Sequence, residues 1–235
     1  MIDIAATIAL WDGCSDATRY TRVAGLKRIL RWMTEDYGAP KVYRSIPRME
    51  KPSPRNVTAT EQEKRLMIEK AKPAVRCWLL MCSDLAIRSG TAALMAPKHY
   101  DAAAGTLTFT TKKGRKMCLP VTDELAEIIR PLAKLDADTP FVAHLSRNGH
   151  CKSRYLTAEL GRLRKRCGIN RQLTPHDLRR TTAVRVYEDT RDLRVVQAIL
   201  GHRNLGSTLH YLDHRNTPVA VATLEHAKLT TGVIQ

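Results

Sequence analysis

Four prolines fall within residues 39–57, Pro40, Pro47, Pro52 and Pro54, set among Lys, Arg and Ser. A prolyl ring fixes φ and removes a backbone donor, so neither a helix interior nor a central strand runs easily through this stretch. The chain has to fold on either side of it, and the clearest domain boundary lies here, in an extended basic linker. Of the 235 residues, those before the linker suffice for two helices, and those after it for a domain with its own core. The segments read as 1–50, a linker at 51–57, a main domain at 58–215 and a tail at 216–235.

Charge narrows the partner. Thirty-nine Lys+Arg stand against 23 Asp+Glu, a formal +16, and the basic residues are spread along the chain. That pattern predicts a folded surface that tracks phosphates, with double-stranded DNA as the polyanion. An anionic membrane is the rival, but no apolar run of about 20 residues and no signal-peptide pattern supports it. The six cysteines (Cys14, Cys77, Cys82, Cys118, Cys151, Cys167) show no CxxC spacing. His150, Cys151 and Cys167 can be imagined as metal ligands, yet reduced thiols and no metal site are the expectation.

On the amino side, Val23, Leu26, Leu30, Met33 and Tyr37 recur at helical spacing within residues 15–38, with Lys27, Arg28 and Arg31 mostly off that stripe. Ser15 or Asp16 caps the start, and Gly38 ends the helix. Ile2 to Trp11 reads as a partner helix. Beyond the linker, Thr58 with Glu61 or Thr60 with Glu63 fits a capping box for a helix to about Lys72. Pro73 opens another, with Val75, Trp78, Leu79, Cys82 and Leu85 inward, which delivers Arg88. A guanidinium there needs a partner: either a local acid such as Asp84, or an anion that it clamps.

The period changes at residues 98–121. Leu107 and Phe109 alternate with threonines, Lys112-Lys113-Gly114 turns the chain, and Met117, Leu119 and Val121 alternate again: a β-hairpin with lysines at its tip. A structural helix over 122–136 follows, then a loop to about Cys151. A helix over Ser153–Cys167 turns Leu156, Leu160 and Leu163 inward and Arg154, Arg162, Arg164, Lys165 and Arg166 largely outward. The fold class is mainly α with a small antiparallel sheet, α+β.

Residues Leu173 to Tyr211 concentrate phosphate chemistry. Thr174-Pro175 starts a helix with Asp177 in its first turn, and His176 and Arg179, three apart, share one face. Gly201 stops a second helix, His202 follows, and Tyr211 comes nine residues later. Tyr187, in an apolar stretch, reads as core. HDLRRT and LGHRNLGSTLHY, with Arg88 and the lysine hairpin before them, resemble the boxes of the tyrosine recombinase (phage integrase) family. The resemblance is close over 58–215 and loose over 15–50, where it implies a partial helical core-binding domain ahead of the catalytic domain. In that family the catalytic lysine lies eight residues before a proline ending the third strand, so Pro120 selects Lys112 over Lys113.

The resemblance implies six catalytic positions: Arg88, Lys112, His176, Arg179, His202 and Tyr211. Arginines donate to the non-bridging oxygens of a phosphodiester, most strongly as charge builds in the transition state. Tyrosine attacks phosphorus, and because a phenol ionises only near pH 10, His176 is placed to act as base or to orient the phosphate. His202 donates to the phosphate, and Lys112 protonates the departing 5′ oxygen. A 3′-phosphotyrosyl enzyme keeps the bond energy, so no cofactor, ATP or metal is implied. Candidate DNA contacts are Lys27, Arg28, Arg31, Lys113, Arg154, Arg162, Lys165 and Arg180. The implied partner beyond DNA is the chain itself, a homotetramer on paired sites with the amphipathic segment Pro218 to Gln235 docked into a neighbour. The implied setting is cytoplasmic.

Two departures stand out. The family's G-L-R-x-x-E reads A-I-R-S-G-T here, with Thr91 in place of the supporting glutamate, and at most two helices fit into residues 1–50 where the family has four or more. A non-catalytic DNA-binding relic and a topoisomerase IB-type strand-cleaving enzyme are the competing functions.

Overall fold

A computed structural model describes residues 3–52, 55–111, 114–149, 152–209 and 211–212. The chain divides into two compact units, Met1–Arg55 and Asn56–Gln235.

In the first unit, α1 (Ile4–Ala9) starts where the Asp3 carboxylate accepts from Ala6 N, and α2 (Asp16–Tyr37) where Ser15 Oγ accepts from Thr18 N. Gly38, at φ 66°, ends α2 in a left-handed turn that a side chain would strain. Val23, Leu30 and Ile46 form the small core, with Ile4, Ile8, Trp11, Leu26 and Met33 packed around them. Tyr37, read from the sequence as inward, is 71% exposed. The core stops one turn earlier at Met33, and Tyr37 instead sets its ring edge against exposed Trp32, centroids 5.0 Å apart.

The second unit is organised around α4 (Pro73–Ser83), which is buried on nearly every face, as a helix apolar all round must be. Ahead of it α3 (Glu61–Lys70) begins in the Thr60–Glu63 capping box, the second of the two predicted pairings. Helix α4 ends at Ser83 rather than running on to Arg88, and Arg88 instead opens the single turn α5 (Ser89–Ala92). Asp84 pairs with Lys64 at 2.7 Å, which removes it as a local partner for Arg88.

Strands β1 (Tyr100–Asp101), β2 (Thr106–Thr110) and β3 (Lys116–Pro120) form an antiparallel sheet in the order β1-β2-β3. The β2–β3 register pairs Leu107 with Leu119 and Phe109 with Met117, so one face is buried while Cys118 and Lys116 point outward. The lysines of the tip, Lys112 and Lys113, lie outside the described residues, as do His150, Cys151 and residues 213–235.

The helix read over 122–136 is two pieces. Helix α6 (Asp123–Ile129) gives way at Pro131 to a 3₁₀ turn, because proline denies the α ladder its donor. Within the expected loop, α7 (Phe141–His144) buries Phe141 and Val142 completely. Helix α8 (Ser153–Arg166) turns Leu156, Leu160 and Leu163 inward together with Glu159, a buried carboxylate held by Lys72 at 3.2 Å and by Arg162. Three helices close the described chain: α9 (Pro175–Thr190), α10 (Leu193–Leu200) and α11 (Leu205–Leu209). Tyr187 is buried in their common core with Ala183, Val196 and Leu200, as its apolar neighbours predicted. Among the described residues no helix is long and apolar enough to cross a membrane.

Candidate DNA strand-cleavage site

Helix α9 starts on a capping box in which Thr174 Oγ1 accepts from Asp177 N and the Asp177 carboxylate accepts from Thr174 N at 2.8 Å. This fixes the first turn and sends His176 outward while Arg179, one turn on, points into the protein. Arg179 is only 3% exposed. A buried guanidinium needs acceptors, and two backbone carbonyls supply them: Ala86 O accepts from Nη1, and Leu200 O accepts from Nη2 at 2.6 Å. Ala86 takes φ 49°, an unusual conformation for a residue with a Cβ. This left-handed kink follows the end of α4. It leaves Ile87 buried and brings exposed Arg88 to the rim of a cleft also lined by Thr91, Thr111, Met117 and Arg179.

Helix α10 stops at Gly201, φ 60°, and His202 turns back into the protein. Its Nδ1 lies 3.1 Å from Thr208 Oγ1. Thr208, fully buried on α11, also accepts Tyr211 N through its carbonyl at 2.9 Å, so one residue holds both the imidazole and the turn that carries the tyrosine. The Tyr211 hydroxyl lies 3.2 Å from His176 Nδ1. The tyrosine ring is enclosed by His176 (centroids 4.9 Å apart), by the edge-on His202 ring (5.2 Å) and by the Arg179 guanidinium (Cζ to ring centroid 5.9 Å).

The electrostatics follow from this crowding of cations. Burial, and then the charge of Arg179, pull the His176 imidazole below its ordinary 6.5, with Asp177 opposing, which favours the neutral ring. Burial also lowers Arg179, which Tyr211 counteracts and Arg88 reinforces. Two guanidiniums close enough to repel one another make a site suited to an anion.

Of the six sequence-predicted positions, His176, Arg179 and His202 thus all gather around a fourth, Tyr211. Arg88 stands at the adjoining cleft, and Lys112 is outside the described residues. Among the predicted DNA contacts, Arg154 and Lys165 are exposed on α8, Arg162 is engaged by Glu159, and Arg180 is 6% exposed and so buried rather than displayed. In the first unit Arg28 is exposed, Lys27 donates to Pro47 O at 3.2 Å, and Arg31 lies 5.3 Å over the Tyr43 ring. Sequence reasoning missed Thr208, although its place three residues before Tyr211 on a short helix is a legible cue. It also missed Ala86, for which an alanine gives no cue at all.

Residues 56–217 match the sequence profile of the phage integrase family. The chain belongs to that family, the tyrosine recombinases. This integrase-family chain is 28% identical over 207 residues to the tyrosine recombinase XerC of Oceanobacillus iheyensis, covering 81% of the chain and 68% of that relative. It is 27% identical over 201 residues to XerA of Thermococcus kodakarensis, covering 83% and 67%. Its fold matches a lambda integrase dimer bound to a COC′ core site with a TM-score of 0.73 at 18% identity, over 91% of this chain and 64% of that one. The XerH recombinase bound to its difH substrate, a pre-cleavage complex, gives 0.65 at 20% identity, over 88% and 65%.

Proposed function

We propose that this chain is a site-specific recombinase that cuts and rejoins double-stranded DNA through a 3′-phosphotyrosyl intermediate on Tyr211. The observation that carries the reading is the hydrogen bond between the Tyr211 hydroxyl and His176 Nδ1, inside a ring of Arg179 and His202. Neutral imidazole accepts the phenol proton at Nδ1 as the oxygen attacks phosphorus. Arg88 and Arg179 hold the non-bridging oxygens, and His202 donates to one of them from its imidazole. The bond to the 5′ oxygen breaks, and Lys112, assigned from the family's spacing, supplies its proton. Attack by a 5′ hydroxyl on the phosphotyrosine reverses these steps and joins the strands, so the cycle asks for neither ATP nor metal.

The DNA-bound state of the XerH and lambda integrase structures supports DNA as the partner. A homotetramer on paired sites, with residues 218–235 docked on a neighbouring copy, and a cytoplasmic location belong to the same proposal. Deleting residues 219–235 is expected to abolish assembly on paired sites, and unchanged assembly would refute the docking.

The test of the chemistry needs a cognate duplex, obtained by selecting a randomised core library for binding alone. A nicked form of that duplex, whose cut fragment diffuses away, traps the covalent complex. Wild type is expected to give a complex that survives denaturation, and Tyr211→Phe none. No adduct with wild type, or one retained by Tyr211→Phe, would refute the reading.

A further inference from the structure

Because α10 ends in a left-handed turn at Gly201, the His202 carbonyl lies beyond the helical ladder and needs donors from elsewhere. Gln197 Nε2 donates to it at 3.2 Å, returning the bond by which His202 N donates to Gln197 O at 3.1 Å. Arg115 Nη1 also donates to the His202 carbonyl, at 3.1 Å, from 87 residues earlier in the chain. Arg115 stands at the foot of the β2–β3 turn, where its carbonyl accepts Thr111 N at 2.8 Å and its own N–H donates to Thr111 Oγ1 at 3.2 Å. The same hairpin presses on the residue before His202: a Cβ on Gly201 would sit 3.0 Å from Met117 Sδ and 3.7 Å from Thr111 Cγ2. With the ring fixed on Thr208, His202 is held at its N–H, its carbonyl and its imidazole. Of these holds, Arg115 alone comes from outside residues 197–208.

We propose that Arg115 is a positioning residue of the cleavage site. It fastens the hairpin to the His202 backbone, so that the imidazole is correctly aimed only when the hairpin is seated. The proposal rests on the strand-cleavage reading above. An exposed arginine beside a basic turn invites a plainer role as a phosphate contact, and the two roles separate experimentally. A phosphate contact sets affinity and its salt dependence, whereas a residue acting through His202 sets the rate of the bound complex and loses its effect once His202 is gone.

The test uses the full chain and the selected nicked duplex. It measures affinity across a salt series and the rate of covalent complex formation at saturation for wild type, Arg115→Ala, Arg115→Lys, His202→Ala and the Arg115→Ala/His202→Ala double variant. Arg115→Ala is expected to slow complex formation about tenfold while affinity stays within about threefold, and to cost less than about twofold more in the His202→Ala background. Arg115→Lys, which keeps a donor, is expected to recover part of the rate, and it carries the same comparison should the alanine variant fold poorly. An equal cost in both backgrounds, or a loss confined to affinity with a shallower salt slope, would overturn the proposal. If wild type forms no covalent complex, the cleavage reading falls, and the tether is judged without DNA. The His202 imidazole nitrogen resonances are then expected to shift in Arg115→Ala, and unmoved resonances would overturn it.

Discussion

Tyr211 and His176 are 35 residues apart in the chain, yet the tyrosine hydroxyl lies 3.2 Å from His176 Nδ1. One helix start, one helix stop and one turn produce that contact. The Thr174 box sets the face of α9, Gly201 turns the chain after α10, and the Thr208 carbonyl caps the turn at Tyr211. The proposed nucleophile and its proposed base are therefore brought together by elements of a single chain.

With His176 as the proposed base, its state should give cleavage a pH dependence. Burial and Arg179 lower its pKa from 6.5, and only the neutral ring accepts the phenol proton. Activity is lost as pH falls through the folded-state pKa, so single-turnover cleavage should decline at a midpoint below 6.5 and show no loss from this group at neutral pH. A midpoint above that value would contradict a neutral His176.

Thr208→Val keeps the shape of the side chain and removes the hydroxyl that meets His202 Nδ1. Loss of one buried hydrogen bond should cost about 1–2 kcal/mol of stability, and cleavage should slow about tenfold as the imidazole loses its aim. Thr208→Ser should retain most of both. Equal behaviour of the Val and Ser variants in denaturant melts and cleavage assays would dismiss the role.

Ala86 holds a left-handed φ of 49° while its carbonyl accepts from Arg179. Replacing it with glycine relieves about 1–2 kcal/mol of strain and adds about 0.5–1 kcal/mol of unfolded-state entropy, a net gain near 0.5–1 kcal/mol. A calorimetric midpoint about 2–3 °C higher is expected. Gly201, at φ 60° and tight against Met117, gives the opposite sign, and Gly201→Ala should lower the midpoint. A lower midpoint for Ala86→Gly would show that the kink is unstrained.

Arg88 has no carboxylate partner among the described residues, and Thr91 stands one turn beyond it. Thr91→Glu would place an acid there, and an ion pair of about 0.2–1 kcal/mol that orients the guanidinium should raise the cleavage rate about two- to fivefold. A slower Thr91→Glu enzyme with unchanged affinity would mean that Arg88 is already aligned.

Features written in short-range chemistry were legible in the sequence. Ser15 and Gly38 bound α2, the Thr60–Glu63 box opens α3, and the alternation around Lys112-Lys113 gives the hairpin. Features set by distant partners were not. Asp84 is taken by Lys64 rather than Arg88, Glu159 is buried on α8 and reached by Lys72 from 87 residues away, and Phe141-Val142 makes too short an apolar run to announce a buried helix. The same divide runs through the site. His176 and Arg179 share a turn and could be paired on paper, whereas the carbonyls that hold Arg179 belong to residues 93 and 21 positions away.

The most direct measurement is the identity of the residue that carries the DNA. The trapped complex is digested with nuclease and trypsin, and the modified peptide is sequenced by mass spectrometry. The expected result is a single adduct within Asn204–Arg215, on Tyr211, linked through a 3′ phosphate. An adduct on any other residue, or a cleaved strand with no adduct at all, would contradict Tyr211 as the nucleophile.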